Sequence, residues 1–344
     1  MAFSFSFAGD DIDETAAPVA LPQPAQQSAF PVQGKPMLPP TLHHIDELLA
    51  TLPSKIAFSG LPVALEDAAN SEITLPRREL WDVRLQLMAE DGNPSNDTAT
   101  SASSGLGTHD VKTGVYEGGF KSWESSVDLV KVLAAQDALA PQSNPVTVIE
   151  LGCGTALPSL ALLQTNTTNT PKTFILADYN PTVLQHVTLP NVLLTWAVAN
   201  APPSCYNEDN ELEITPEVLD AFRAYLANTN TNLYFLSGAW GPEFDTLLTS
   251  LLPEQPTNTL LLAAETIYSP FALQQFTSTL FSILNHDHGR QTISLIGAKK
   301  LYFGVGGSLD DFVDTARANG GAVEYLREET EGVRRGVVKC TLSQ

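Results

Sequence analysis

From residue 146 to residue 342 the apolar positions fall into two alternating kinds of segment. One kind is a short run with little polar interruption: VTVIEL (146–151), TFILAD (173–178), LYFLS (233–237), TLLLAA (259–264) and TISLIGAK (292–299). Such runs, four of them ending at or just before Gly, Asp or Glu, predict buried strands. The other kind spaces its apolar residues for a helix: ALPSLALL (156–163), FDTLLTSLL (244–252), FALQQFTSTLFSIL (271–284) and SLDDFVDTARANG (308–320), the last with a Gly C-cap. PTVLQHVTLPNVLLTWAVAN (181–200) reads as one helix, or as two broken near Pro190. Residues 201–230 are rich in Pro, Asn and acids around a helical patch, VLDAFRAYL, and read as an insertion. AVEYLREE and RRGVVKCTL flank Glu331-Gly332 as a terminal hairpin. Strands alternating with helices predict an α/β fold with a doubly wound, mostly parallel sheet and an antiparallel edge.

The first third of the chain reads differently. Residues 1–40 are rich in Pro, Ala, Gln and Ser, too thin in apolar residues to fold alone, and predict a disordered arm. Within it Phe3, Phe5 and Phe7 alternate with Ser ahead of Asp10, Asp11, Asp13 and Glu14, the pattern of a short docking strand. Thr41 precedes LHHIDELLATL (42–52), whose leucines and Ile45 recur at helical spacing up to Pro53. His43 and His44 are adjacent and would face different sides of that helix, so a metal pair is not expected. GNPSNDTATSASSGLG (92–107) is a flexible linker by composition. The organisation expected is therefore an arm over 1–40, a short helix with extended segments and a linker over 41–109, and one domain over 110–344.

Charge narrows the function classes. The 344 residues carry 18 Lys+Arg against 39 Asp+Glu, a formal net charge of −21. Nucleic-acid binding and anionic membranes both need clustered cations, which are absent, so a basic protein partner is favoured. Cys153, Cys205 and Cys340 are sparse and lack metal-ligand spacing, which fits a reducing compartment. His286-Asp287-His288 has no third ligand nearby and reads as a loop.

In doubly wound sheets ligands bind beyond the carboxyl ends of the strands. The first strand of the domain ends in Glu150-Leu151-Gly152-Cys153-Gly154-Thr155, and the second in Asp178-Tyr179-Asn180. Glycines let a ligand approach the backbone, and an acid 24 residues beyond Gly154 can accept both hydroxyls of a ribose. The NAD fingerprint needs a third glycine where Leu157 stands, so the acid-x-G-x-G turn favours S-adenosylmethionine (SAM) over NAD.

Several strings occur in a telling order: GVYEGGFKSWE (114–124), ELGCG, DYN, Leu189-Pro190-Asn191, SGAW (237–240), ETIY (265–268) and KKLYFGVGG (299–307). Together they resemble the eukaryotic histidine protein methyltransferases of the seven-β-strand class, strongly over 110–343. The resemblance implies a Rossmann-like seven-strand sheet ending in an antiparallel hairpin, SAM as cofactor, and methylation of a histidine ring nitrogen. It implies a basic partner of the large-subunit ribosomal protein type, no metal, a monomer, and residence in cytoplasm and nucleus. Residue by residue, it implies that Trp123 and Glu124 cover the cofactor, with Glu150, Gly152, Cys153 and Gly154 along its methionine moiety. Asp178 would hold the ribose, Tyr179, Asn180, Gly238 and Trp240 would flank the adenine, and Glu265, Thr266 and Tyr268 would face the acceptor.

A histidine acceptor offers a lone pair at neutral pH, so the enzyme must choose its tautomer by accepting the other ring proton. Glu265, Asn180 or a backbone carbonyl could do so, with Tyr268 beside them. Lys299-Lys300 forms one of the few basic spots, and His109, next to Asp110, is a candidate for self-methylation. The competing expectations are a lysine methyltransferase of the same fold and a non-catalytic binding protein for a basic partner.

Overall fold

The computed structural model describes residues 31–65, 71–91, 118–140, 143–165, 169–255, 257–286, 292–302, 306–330 and 332–343. The Phe-Ser alternation, the 92–107 linker, His109 and most of the GVYEGG string lie outside them. Among the described residues no helix is long and apolar enough to cross a membrane, and no group of three or more His, Cys, Asp or Glu could hold a metal ion.

Twelve strands are described. Eight of them form one sheet: β1 (Thr41–His43), β5 (Val146–Leu151), β6 (Lys172–Asp178), β8 (Thr231–Ser237), β9 (Asn258–Ala264), β10 (Thr292–Lys299), β11 (Gly321–Glu329) and β12 (Arg335–Leu342). Their order is β1-β8-β6-β5-β9-β10-β12-β11. The five central strands β8, β6, β5, β9 and β10 run parallel, and β12 returns antiparallel between β10 and β11. The apolar runs lack polar alternation because both faces are covered. Val148, Phe174, Leu176, Phe235 and Leu295 point into one core, where helices α3 (Glu124–Ala135), α4 (Leu157–Thr165) and α6 (Leu189–Asn200) pack. Ile149, Leu151, Ile175, Leu236 and Ile296 point into the other, against α8 (Pro242–Ser250), α9 (Pro270–Asn285) and α10 (Leu309–Ala318). The chain winds from β5 toward β6 and β8, then returns to β9 on the other side of β5, which opens a crevice beyond the ends of β5 and β9.

Several local readings change. The stretch read as a helix from Leu42 starts instead as β1, antiparallel to β8 with Thr41 opposite Ser237, and α1 covers only Ile45–Ala50. The unpaired edge of β8 offers hydrogen bonds that the first turn of an isolated short helix cannot match. This strand is an eighth, added at the β8 edge of the seven expected ones, which run β8-β6-β5-β9-β10-β12-β11. Residues 31–40 fall within the expected disordered arm, yet they lie against the sheet: Leu38 donates its N–H to the Tyr179 hydroxyl at 3.1 Å and accepts one from Ala239 at 2.9 Å.

The segment 181–200 is a single helical run with a π-bulge, α5 (Pro181–Val183), Leu184–Thr188 and α6. Pro190 has no N–H to offer the carbonyl of His186, and the buried Arg78 guanidinium donates to that carbonyl instead, at 3.0 Å. The stretch read as an insertion carries α7 (Pro216–Asn228), started by Pro216 with Thr215 as its cap. Val218, Phe222 and Leu226, at i, i+4 and i+8, are buried in the first core, and Phe222 meets Trp196 at 5.4 Å between ring centroids.

Candidate active site

The turn after β5 sets the site. Gly152, Gly154 and Ala156 all have left-handed backbones, with φ of 65°, 50° and 58°. A Cβ on Gly152 would stand 2.7 Å from Thr266 Cγ2, so only glycine allows this close crossing of the β5 and β9 ends. The turn is held from the helical run after β6: the Thr188 hydroxyl donates to the Gly154 carbonyl at 2.6 Å, and Asn191 Nδ2 to that of Thr155 at 3.1 Å. Asp178, ending β6, accepts the backbone N–H groups of Gly154 and Asn180, each at 3.1 Å. Burial pushes its carboxyl above the usual range, against those bonds.

These strand ends open into one pocket with about 1080 Å³ of empty space counted out to its mouth. It collects Trp123, Gly152, Cys153, Gly154, Asp178, Tyr179, Asn180, Gly238, Trp240, Glu265, Thr266 and Tyr268 from five separate elements. Two residues named with them stand elsewhere. Glu150 points beneath α4, where its carboxylate accepts the N–H of Ser159 at 3.1 Å and the Ser159 hydroxyl. Burial pushes it up to about 8, so it caps a helix start rather than facing the pocket. Glu124 is exposed and pairs with Arg335 at 3.1 Å, alongside the Arg335–Asp128 pair at 2.5 Å that ties α3 to β12. Glu150 belongs to β5 itself, ahead of the glycine turn, on the face that α4 covers, and Glu124 follows Trp123 into α3, whose next turn faces Arg335 of β12.

The other end of the pocket holds the less ordinary chemistry. Glu265 is a non-glycine residue with φ of 57°, fixed by its N–H to the Gly297 carbonyl at 2.9 Å. Left-handed backbone at a strand end facing a cavity is strain of the kind stored at functional sites. Its carboxylate accepts the Ser125 hydroxyl and the Tyr302 hydroxyl, and burial raises its pKa against both. The adjacent Thr266 hydroxyl is buried and has no partner among the described residues, on the pocket wall. Trp123 caps α3, donates Nε1–H to the Gly118 carbonyl at 3.0 Å, and carries Lys299 Nζ over its ring at 4.9 Å.

Sequence reasoning did not select Ser125, Tyr302 or the strap of residues 31–40. Tyr302 follows the Lys-Lys pair, a local hint. Nothing local marks Ser125 or the strap, which reach the site by packing. Pro31 lines the pocket, and Gly238 (φ 111°) is required because a Cβ there would strike the Pro39 carbonyl.

The donor set suits SAM. A glycine turn gives room for an amino-acid tail, Asp178 is an acceptor for ribose hydroxyls, and Tyr179 and Trp240 supply flat apolar walls. The same pocket has no third glycine for a pyrophosphate, since Leu157 is buried at the first turn of α4.

No family model matches the chain. Similarity to curated proteins is extensive. Histidine protein methyltransferase 1 of Schizosaccharomyces pombe is 34% identical over 269 residues, covering 77% of this chain and 76% of that protein. Its namesake in Saccharomyces cerevisiae is 33% identical over 349 residues, covering 91% and 89%. A homolog from Bos taurus is 32% identical over 287 residues, covering 82% and 71%. Solved structures align less well: a magnesium protoporphyrin IX methyltransferase of Synechocystis with bound SAM matches 64% of this chain and 79% of its own, at 9% identity and a TM-score of 0.35, too little to argue from.

Proposed function

This chain belongs to the histidine protein methyltransferase family, and from that premise we propose that it methylates a ring nitrogen of a histidine in a basic protein, using SAM. The observation that carries the reading is the convergence of the glycine turn, Asp178 and the strained, buried Glu265 on a single pocket. Bound SAM supplies a methyl group already activated on a sulfonium sulfur. Asp178 would accept the ribose hydroxyls, Gly152, Cys153 and Gly154 would line the amino-acid end, and Tyr179 and Trp240 would hold the adenine between them.

What the chain must add is position and the right tautomer. A neutral imidazole has one lone pair and one N–H. The Glu265 carboxylate, fixed by Ser125 and Tyr302, would accept that N–H and leave the opposite nitrogen bare. Asn180 and Tyr268 would orient the ring from either side. Closing protein around the acceptor excludes water, which strengthens each of these contacts.

A partner of the large-subunit ribosomal type would suit a surface with net charge −21, which speeds encounter with basic chains. We place the activity in cytoplasm and nucleus, with the enzyme a monomer. The test is incubation with methyl-labelled SAM and cell extract, followed by amino-acid analysis of the labelled band. Methyl-histidine in a basic protein is expected; methyl-lysine would overturn the assignment.

A further inference from the structure

Lys299 ends β10 and Lys300 follows it, and the two are sent to different places. Lys300 binds Glu328 at 2.9 Å and lies over the Tyr325 ring at 5.3 Å, on the outer hairpin. Lys299 turns into the pocket. Its Nζ stands 4.9 Å from the Trp123 ring centroid and 5.8 Å from that of Tyr302. Among the described residues no ion pair holds it; two aromatic faces do. The cation is thus fixed in place without being neutralised by direct contact.

We propose that Lys299 is a specificity-determining residue, a fixed cation at the acceptor end of the pocket that admits a neutral imidazole and turns away an ammonium. This rests on the reading of the Glu265 end as the acceptor site. A lysine acceptor arrives as an ammonium, and a carboxylate whose charge is not already offset would hold it best. Glu265 is the carboxylate at that end; Ser125 and Tyr302 take two of its acceptor sites and leave room for one imidazole N–H, while Lys299 offsets its charge through space. An incoming ammonium would therefore meet an anion whose charge is already offset and a fixed cation beside it.

The Lys299 charge acts on the acceptor ring in the same sense, disfavouring imidazolium against imidazole. The charged and titratable groups around Lys299 are Glu265 and Tyr268 after β9, Tyr302 on the following turn, Glu124 at the start of α3, and Lys121 and Asp178 across the pocket. Glu124 is exposed and paired with Arg335, which leaves Glu265 and Lys299 as the pair that sets the local field. For a cation about 6 Å from Nζ, with Glu265 offsetting part of the field, the penalty is roughly tenfold.

The test uses the full chain loaded with S-adenosylhomocysteine, with imidazole and n-butylamine as probes, followed by NMR titration between about pH 6 and about pH 8. In the native protein imidazole should bind more tightly as pH rises through its own pKa, and butylammonium at least about tenfold more weakly than imidazole. Lys299→Met should tighten butylammonium at least about tenfold and flatten the pH dependence of imidazole binding, while Lys299→Arg keeps both native behaviours. S-adenosylhomocysteine affinity and circular dichroism report whether each variant is folded. Imidazole bound with amine selectivity unchanged in Lys299→Met would overturn the proposal. So would unchanged selectivity with a large loss of S-adenosylhomocysteine affinity, which would put the cation on the cofactor's carboxylate. Imidazole binding to neither protein would overturn the acceptor-site reading and the proposal with it.

Discussion

Replacing Glu150 by Gln should make this protein more stable at neutral and alkaline pH. Glu150 is buried beneath α4, and its pKa rises from 4.5 to about 8. Below pH 4.5 the folded and unfolded states both carry the proton, and burial costs nothing electrostatic. Between 4.5 and 8 the unfolded chain releases its proton while the folded one keeps it, so stability falls by about 1.4 kcal/mol per pH unit. The accumulated loss is about 3 kcal/mol at neutral pH and approaches about 5 kcal/mol once the folded group ionises. Gln keeps a carbonyl for the Ser159 N–H and hydroxyl and cannot ionise. Burying its extra N–H adds a constant offset, so the slope with pH is the signature. Thermal unfolding from about pH 5 to about pH 8.5 should show the variant's Tm pulling away from the native one by several degrees or more. Asp178 is present in both proteins, and its own titration cancels in the difference to first order. Parallel stability curves would refute the reasoning. S-adenosylhomocysteine affinity should change by less than about threefold, and a collapse in affinity would refute the placement of this carboxylate beneath the helix.

Other outcomes follow from the same geometry. Asp178→Ala removes the acceptor shared by Gly154 and Asn180 as well as the ribose contact; calorimetry should show a loss of SAM affinity of about a hundredfold. Native circular dichroism is expected for that variant, and undiminished binding would contradict the site. Gly238→Ala puts a Cβ into the Pro39 carbonyl at φ of 111°, at a backbone cost of about 1–3 kcal/mol before the clash. Limited proteolysis should then cut residues 31–43 faster than in the native protein. Phe222→Ala should cost about 3–5 kcal/mol in urea unfolding; a change below about 1 kcal/mol would mean that α7 is an appended element and not part of the core.

The parallel strands and the helices that flank them were legible because each lies in a segment whose burial is complete and whose length matches its type. VTVIEL and TLLLAA need no partner to be recognised as two-faced strands. The glycine turn and Asp178 were legible because a nucleoside pocket needs a tight backbone and an acceptor at adjacent strand ends. The start of β1 was not, since LHHIDELLATL has helical spacing throughout and its first residues become a strand only against the open edge of β8. The π-bulge was hidden in the same way. Pro190 predicts a break, and a guanidinium 112 positions earlier in the chain removes the need for one.

What the sequence by itself determined is the α/β winding, the identity of the cofactor turn and, through the ordered strings from 114 to 307, the family. Those properties depend on residues close together in the chain. What the tertiary structure decided is the direction in which each polar side chain points. Glu150 and Glu265 are both acids at strand ends, yet one caps a helix and the other faces the pocket. Lys299 and Lys300 are neighbours, yet one enters the site and the other joins the outer hairpin. A strand turns successive side chains to opposite faces, and only the packing of the sheet says which face is solvent, core or active site.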